Sequence, residues 1–524
     1  MDSPSRTVSM GQLERFMGEP DIHAAINELF QHTSLLELFQ QLQQHHQRGE
    51  ETDLLMRVID QIFLLDDMKL QLLEEPFQPF LQMAASAEQT NLRRILVAKL
   101  GDLVSLATRP RPMAVDTDVD EPMGDDKATE DGADVDNIME RFVSLGLAKL
   151  LGVLVLDRDT GVAERALDAI VKMVGSAAGS DSFFEGGLLD WLLDKIKTAR
   201  DETRLRILDL FVSLGSVSET TFDKCEERGL YELVLQEYFT DDLLIKLIAV
   251  ELMDKLGSFP HGARYMARAQ IPLKLARELR DPLADENAKM SLVRLLANII
   301  VQAPDQAKSI FSEANSAMAE QIQEFLSVPT SRHNWTTQRL CGINAWGDIC
   351  ISASGREQIS RAMPHTVDDL IHAVRHGVDS EICKAAMAAW TKVLEGDPLS
   401  DALMAKVSDD LLPKVLDAAL VMPFADIRPH AYRLLAALSQ FKFTARAVCS
   451  SEDARNLLVD WHSEQDKFGK YAKHEWVSSL VSHHEAWLPT LVDEGFLSVL
   501  ETYAKSGPFY IPPGAAASVA EKAG

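Results

Sequence analysis

A repeat of 41 to 42 residues constrains the fold of this chain more than any other feature. Gly187-Leu188-Leu189-Asp190-Trp191-Leu192, Gly229-Leu230-Tyr231-Glu232-Leu233-Val234 and Gln270-Ile271-Pro272-Leu273-Lys274-Leu275 are similar short openings, and Leu188, Leu230 and Ile271 lie 42 and 41 residues apart. Looser echoes follow at His365 to Leu370, Ala454 to Leu458 and Gly495 to Leu500. A period near 42 is that of armadillo and HEAT repeats, whose units bury their apolar faces only against their neighbours. Within the units apolar residues recur at three and four positions, as in Leu188, Trp191, Leu192 and Ile196, or in Leu244, Leu247, Ile248 and Leu252 around Glu251. Breakers such as Gly257, Pro260, Pro304, Pro329, Pro364, Gly396 and Pro429 fall between the periodic segments, and no alternating run of Val, Ile and Thr marks a strand. The expectation is an all-α, armadillo/HEAT-like right-handed solenoid of roughly ten helical repeats. Three or four separate globules are the alternative that the 524 residues would otherwise allow.

One stretch interrupts the pattern. Pro110, Pro112 and Pro122 accompany ten acidic residues and one lysine between Asp116 and Asp136. Carboxylates at that density repel one another and resist burial, so 109–136 reads as a disordered acidic linker. It separates amino-terminal helical repeats, 1–108, from the main solenoid, 137–507, and a tail, 508–524. The remainder is acidic too, since the whole chain has 52 basic and 80 acidic residues and a formal charge of −28. That field repels phosphate backbones and argues against a dedicated binder of nucleic acid or anionic membrane. Residues Met1 to Met10 contain Asp2, Pro4 and Arg6 and no apolar h-region, and no uncharged apolar run reaches the roughly 18 residues of a membrane span. Cys225, Cys341, Cys350, Cys383 and Cys449 form an odd set without a C-x-x-C pair, which suits neither a disulfide framework nor a zinc site. The chain is therefore expected in reduced cytosol or nucleoplasm, as a monomer until it meets a partner.

Motifs for chemistry are missing. Neither G-x-x-x-x-G-K-[ST] nor G-x-G-x-x-G occurs, so no phosphate-cradling loop is signalled, and G-x-S-x-G is absent as well. His372 and His376 stand at i and i+4 with His365 upstream, yet Ala373 occupies the position where a zincin needs glutamate. They read as solvated histidines near a helix end at Gly377. The cysteines at 341, 350 and 383 sit in apolar helical settings that suit small buried residues. None of the seven tryptophans has asparagine four residues on, which disfavours the W-x-x-x-N ladder by which armadillo importins hold basic peptides. Core filling between stacked helices is the expected role of the tryptophans. No enzyme activity, metal or cofactor is predicted.

What remains is a surface. In armadillo-like units the last helix of each repeat lines the concave face, and here those helices are expected at about 203–216, 242–256, 286–301, 335–350 and 381–394. Asp209, Glu251, Asn298 and Asn344 recur along them at intervals of 42, 47 and 46, and are the candidate partner-binding ladder. Ordinary solvated polar positions are the competing reading. A ladder of acceptors in an acidic solenoid would suit a basic or amide-rich protein surface.

From about residue 180 onward the sequence also resembles a known family. His261-Gly262-Ala263-Arg264-Tyr265-Met266-Ala267 carries the likeness, as do Met422-Pro423-Phe424 with the helix Ile427 to Leu438, and Asp460 to Lys473 with its Glu464-Gln465-Asp466-Lys467. The stretch Thr502-Tyr503-Ala504-Lys505-Ser506-Gly507-Pro508-Phe509-Tyr510-Ile511-Pro512-Pro513 is the most specific. These segments are similar to the proteasome non-ATPase regulatory subunit five family, the assembly chaperones of the regulatory-particle base. The resemblance implies a non-enzymatic chaperone that embraces the carboxy-terminal domain of a base ATPase subunit and leaves before the mature proteasome forms. A general armadillo adaptor or transport scaffold is the runner-up, and an enzyme or nucleotide-exchange factor the third reading.

Overall fold

The computed structural model describes residues 8–44, 49–109, 131–240, 242–281, 284–313, 317–377, 379–421, 426–460 and 463–510, with no side chains described for 43–44, 131–136 and 312–313. Among these residues the chain is helical throughout and contains no strand, an all-α solenoid. The acidic stretch expected to be a linker lies outside the described residues as far as 130, as do Met422-Pro423-Phe424 and Ile511 to Pro513. The helix Asp131–Ser144 opens inside the last part of the expected linker.

The repeat is a triplet of two short helices and one longer one. Ala177–Phe184, Leu188–Thr198 and Asp201–Leu214 make one triplet, and Ala353–Ala362, Thr366–His376 and Ser380–Glu395 another. Local chemistry sets the boundaries. Ser176, Ser218 and Ser352 cap first helices by accepting the N–H groups of Gly179, Thr221 and Gly355. Asp159, Asp285, Asp379 and Asp466 cap third helices in the same way. Between the first and second helices the chain turns through one residue of positive φ: Gly146, Gly187, Gly229 and, as a non-glycine, Gln270. The recurrent sequence opening is this turn, where a glycine avoids the Cβ clash that other residues meet in the left-handed region.

Two compact units divide the chain near the middle, Met1–Leu256 and Gly257–Gly524. In the first, the amino-terminal helices run directly into the repeats that follow the acidic stretch. Thr90–Ala107 packs along Thr160–Val174, and Arg93 and Arg94 reach Asp157 and Asp159 at 2.6 Å each. The acidic stretch is thus not where the structure divides. In the second unit Trp335–Ile349, Ser380–Glu395, Arg428–Leu438 and Lys467–His484 stack in order. Their core includes Trp346 edge-on to Trp390, centroids 5.1 Å apart, and Tyr432 stacked on Trp476 at 5.7 Å. All four rings are buried, the core-filling role expected for these tryptophans.

Polar ties between consecutive triplets repeat the sequence period. Lys255 donates to Ser213 Oγ 42 residues back, Lys384 to Asp426 42 ahead, Lys392 to Asp348 44 back and Ser479 to the Ala436 carbonyl 43 back. Close packing adds a steric tie within a triplet junction: a Cβ on Gly355 would stand 1.9 Å from the Ile349 carbonyl oxygen.

The turn geometry gives a paired prediction. A Cβ on Gly229 meets no atom closer than 3.6 Å, so Gly229→Ala should cost only the left-handed backbone penalty, about 1–2 kcal/mol. Gln270→Gly should act in the opposite sense and raise stability by up to about 1 kcal/mol. Denaturant midpoints of the two variants beside wild type measure this, and two shifts of the same sign would refute the account of the turn.

Candidate partner-binding face and a buried ionic network

Each third helix keeps one residue outward between two pairs of buried ones. In the first unit these central positions are Asp168, Asp209 and Glu251, flanked by Ala166-Leu167 and Ala169-Ile170, by Ile207-Leu208 and Leu210-Phe211, and by Ala249-Val250 and Leu252-Met253. In the second unit they are Arg294, Asn344, Ala388, Arg433 and Glu475. Packing forces the pattern, because a third helix lies between two neighbours and its own triplet and has a single narrow free strip.

This register places the four sequence-predicted residues individually. Glu251 and Asn344 occupy the strip and are exposed. Asp209 occupies it half-buried and is already engaged, its carboxylate 2.7 Å from Lys255 Nζ. Asn298 is half-buried and one turn beyond the strip, where Arg294 holds the central position. The expectation of four exposed acceptors is corrected accordingly. The first unit presents carboxylates at Asp168, Asp209 and Glu251. The second presents a mixed row with two guanidiniums, so its strip is not an acceptor ladder. Sequence spacing missed Asp168, Arg294 and Arg433 because it sought one residue type, whereas burial fixes the register regardless of type.

Within the second unit the strip borders two grooves. One, about 360 Å³, runs between Glu286–Gln302 and Trp335–Ile349 and is lined by Asn287, Arg294, Thr337, Asn344 and Asp348. The other, about 730 Å³, is lined by Thr391, Glu395, Arg433, Gln440, Glu475 and His483. Both are open and lined by polar and apolar side chains together, Met290 and Leu340 in the first and Leu394 and Ala436 in the second, suited to the side chains of a protein surface more than to an enclosed small molecule.

The second unit also holds a buried ionic network, at the start of two of the helices that wall the second groove. Glu464 is 3% exposed and accepts hydrogen bonds from Arg428 Nε and the Tyr432 hydroxyl, both at 2.8 Å. The hydrogen bond to Glu464 raises Arg428 further above its ordinary range. Lys473, 2% exposed, donates to the Asp460 carbonyl and to Ser463 Oγ. Burial pulls the Lys473 ammonium down to about 8, against the opposing attraction of Asp460 and Glu464. Asp466 caps the following helix through the Gly469 N–H at 2.9 Å. A Cβ on Gly469 would come within 2.6 Å of Glu464 Oε2, so glycine there admits the carboxylate. The network fixes the entry of Lys467–His484, and with it one wall of the groove.

The remaining candidates for chemistry lie elsewhere. His372 and His376 are exposed with rings 4.9 Å apart, and no group of three potential metal ligands occurs among the described residues. All five cysteines are free, and four are buried. Burial pushes the Cys225 thiol up to about 12 and Cys341 to about 11, which keeps them protonated and unreactive at neutral pH. No described helix is long and apolar enough to cross a membrane.

Comparison with known proteins gives one consistent match. The family described as "Proteasome non-ATPase 26S subunit" matches residues 146–523. The human 26S proteasome non-ATPase regulatory subunit 5 is 22% identical over 72% of this chain and 75% of its own length, and the Bos taurus protein of the same name is 23% identical over the same shares. Among solved structures, an engineered protein aligns at 16% identity and a TM-score of 0.42, covering 81% of this chain and 93% of its own.

Lys473 supplies a pH test of the buried network. Its folded value near 8 lies below that of an unfolded lysine, so above pH 8 the unfolded chain binds the extra proton and stability rises with pH until both states are neutral. Relative to Lys473→Met, wild type should gain up to about 3 kcal/mol between pH 8 and 10.5. Parallel pH profiles of wild type and variant in urea titrations would show that the ammonium is not buried as described.

Proposed function

The chain belongs to the proteasome non-ATPase 26S subunit family, and on that premise we propose that it is a non-enzymatic chaperone for assembly of the 26S proteasome regulatory-particle base. It binds the carboxy-terminal domain of a base ATPase subunit along its third-helix strips and is released before the particle matures. The observation that carries this reading is the strip itself: one outward residue per third helix, bordered in the second unit by open grooves of mixed polar and apolar lining. Such a surface offers many modest contacts, polar and apolar, spread over several repeats. Contacts of that kind favour a large partner held reversibly, which is what a transient assembly intermediate requires. The relatives' name, a non-ATPase regulatory subunit of the 26S proteasome, supports a proteasome-directed partner and a role without catalysis. Five free cysteines, four of them buried, suit a reduced compartment, so we place the protein in cytosol or nucleoplasm, as a monomer before capture.

Capture of purified base ATPase carboxy-terminal domains by the immobilised full chain tests the proposal. Wild type should retain a domain, and Ala388→Arg or Asn344→Arg should weaken retention about tenfold or more, since each projects a long cation into the strip, a loss of about 1.4 kcal/mol. Glu357→Arg, on a first helix, should leave retention unchanged. If wild type captures no base ATPase domain, the chaperone reading fails. If the strip variants bind like wild type while Glu357→Arg does not, the face has been misassigned.

A further inference from the structure

Three stretches singled out in the sequence meet at one place in the second unit. Phe468 and Tyr471 stand one turn apart on Lys467–His484, 45% and 48% exposed, and Phe509 is 52% exposed. Tyr471 and Phe509 pack edge to face with centroids 5.5 Å apart, and the chain near Phe509 is held by the His474 ring, whose Nε2 lies 3.1 Å from the Ala504 carbonyl. Exposed large aromatics at this density are unusual on a soluble surface and mark contact sites.

Each ring is overlaid by a cation. The Arg433 guanidinium lies 4.3 Å from the Phe468 centroid, Lys467 Nζ 5.8 Å from Tyr471 and Lys470 Nζ 5.7 Å from Phe509. Among the described residues none of these three cations is ion-paired, whereas neighbouring Arg428, Lys384 and Arg375 all are. Unpaired charge held on apolar rings, in a chain of formal charge −28, is a local reversal of the molecule's field.

We propose that the Phe468, Tyr471, Phe509 cluster with Arg433, Lys467 and Lys470 is a docking site for an acidic peptide segment that carries apolar side chains between its carboxylates. Carboxylates pair with the three free cations while the apolar side chains cover the rings, so both halves of the patch are matched at once. A continuous phosphate polymer fits less well, because Asp466, which caps that helix, and Glu475 on it flank the cluster and leave no unbroken basic track. The site shares Arg433 with the third-helix strip, but it does not rest on the chaperone reading, and its test variants at Lys467, Lys470 and Tyr471 lie on different side chains from Asn344 and Ala388.

Fluorescence anisotropy with the full chain tests it. The probe is a short fluorescein-labelled peptide in which glutamate alternates with leucine and phenylalanine, compared with the same peptide carrying glutamine for every glutamate and with a labelled oligothymidylate. The acidic peptide should bind saturably, more weakly at high salt, and about tenfold or more tighter than the glutamine peptide. The double change Lys467→Glu with Lys470→Glu, at one exposed and one half-buried lysine, should abolish binding, and Tyr471→Ala, which keeps all three cations, should weaken it about tenfold. Lys197→Glu, an exposed lysine of the other unit, should leave it unchanged. Absence of acidic-peptide binding overturns the proposal. So does equal binding of the glutamine peptide, equal or tighter binding of oligothymidylate, or wild-type affinity in the double variant with its circular dichroism intact.

Discussion

Within each unit the structure depends on third helices wedged against their neighbours, as Trp335–Ile349 is between Glu286–Gln302 and Ser380–Glu395. Buried pairs on both flanks of one outward residue leave it no freedom to rotate, since a turn of one position would bring a charge such as Glu251 or Arg433 into the core and an alanine or leucine into water. The helix is locked by what it would cost to expose its flanks and not by strength of helix propensity. Ties such as Lys255 to Asp209 and Lys392 to Asp348 add registry at little net energy, because both partners are partly solvated. The free strip is therefore a by-product of packing, and its chemistry can differ between units without disturbing the fold.

Much of the fold was legible because the period is written in backbone chemistry. Gly187 and Gly229 mark turns that require positive φ, and the apolar residues behind them sit at helical spacing. The third mark was fainter, since Gln270 makes the same turn without a glycine. The site was less legible for a physical reason. Intervals of 42, 47 and 46 made Asp209, Glu251, Asn298 and Asn344 look regular, but the outward positions are spaced 43 from Glu251 to Arg294 and 50 from Arg294 to Asn344. Loop lengths between triplets vary, so a fixed residue count drifts by a helical turn and chooses the wrong side. Exposed aromatics carry the opposite problem: Phe468 and Tyr471, three apart on a helix, have the spacing of core residues, and only the folded neighbours show that nothing covers them.

The network around Glu464 joins these levels. A carboxylate sealed by Arg428 and Tyr432 holds the chain just before Lys467, and glycine at 469 makes the room it needs. The aromatic cluster begins on the same helix one turn from that anchor, and the groove wall containing Glu475 begins two turns further on. A buried charge is a poor source of net stability, but it is intolerant of displacement. It therefore fixes the direction in which the exposed side chains of Lys467–His484 point.

The five thiols have a consequence of a different kind. Cys225, Cys383 and Cys449 lie in three different triplets and Cys350 in a fourth, which it shares with the half-buried Cys341, and burial keeps the four buried thiols protonated and shielded. Alkylating reagents reach such sulfurs only when the surrounding helices part, so the labelling rate of each one reads the local opening free energy of its own triplet. A chain whose triplets answer only to their neighbours thus carries its own set of resident reporters, able to reveal which triplets tighten when a partner arrives and which stay as loose as before.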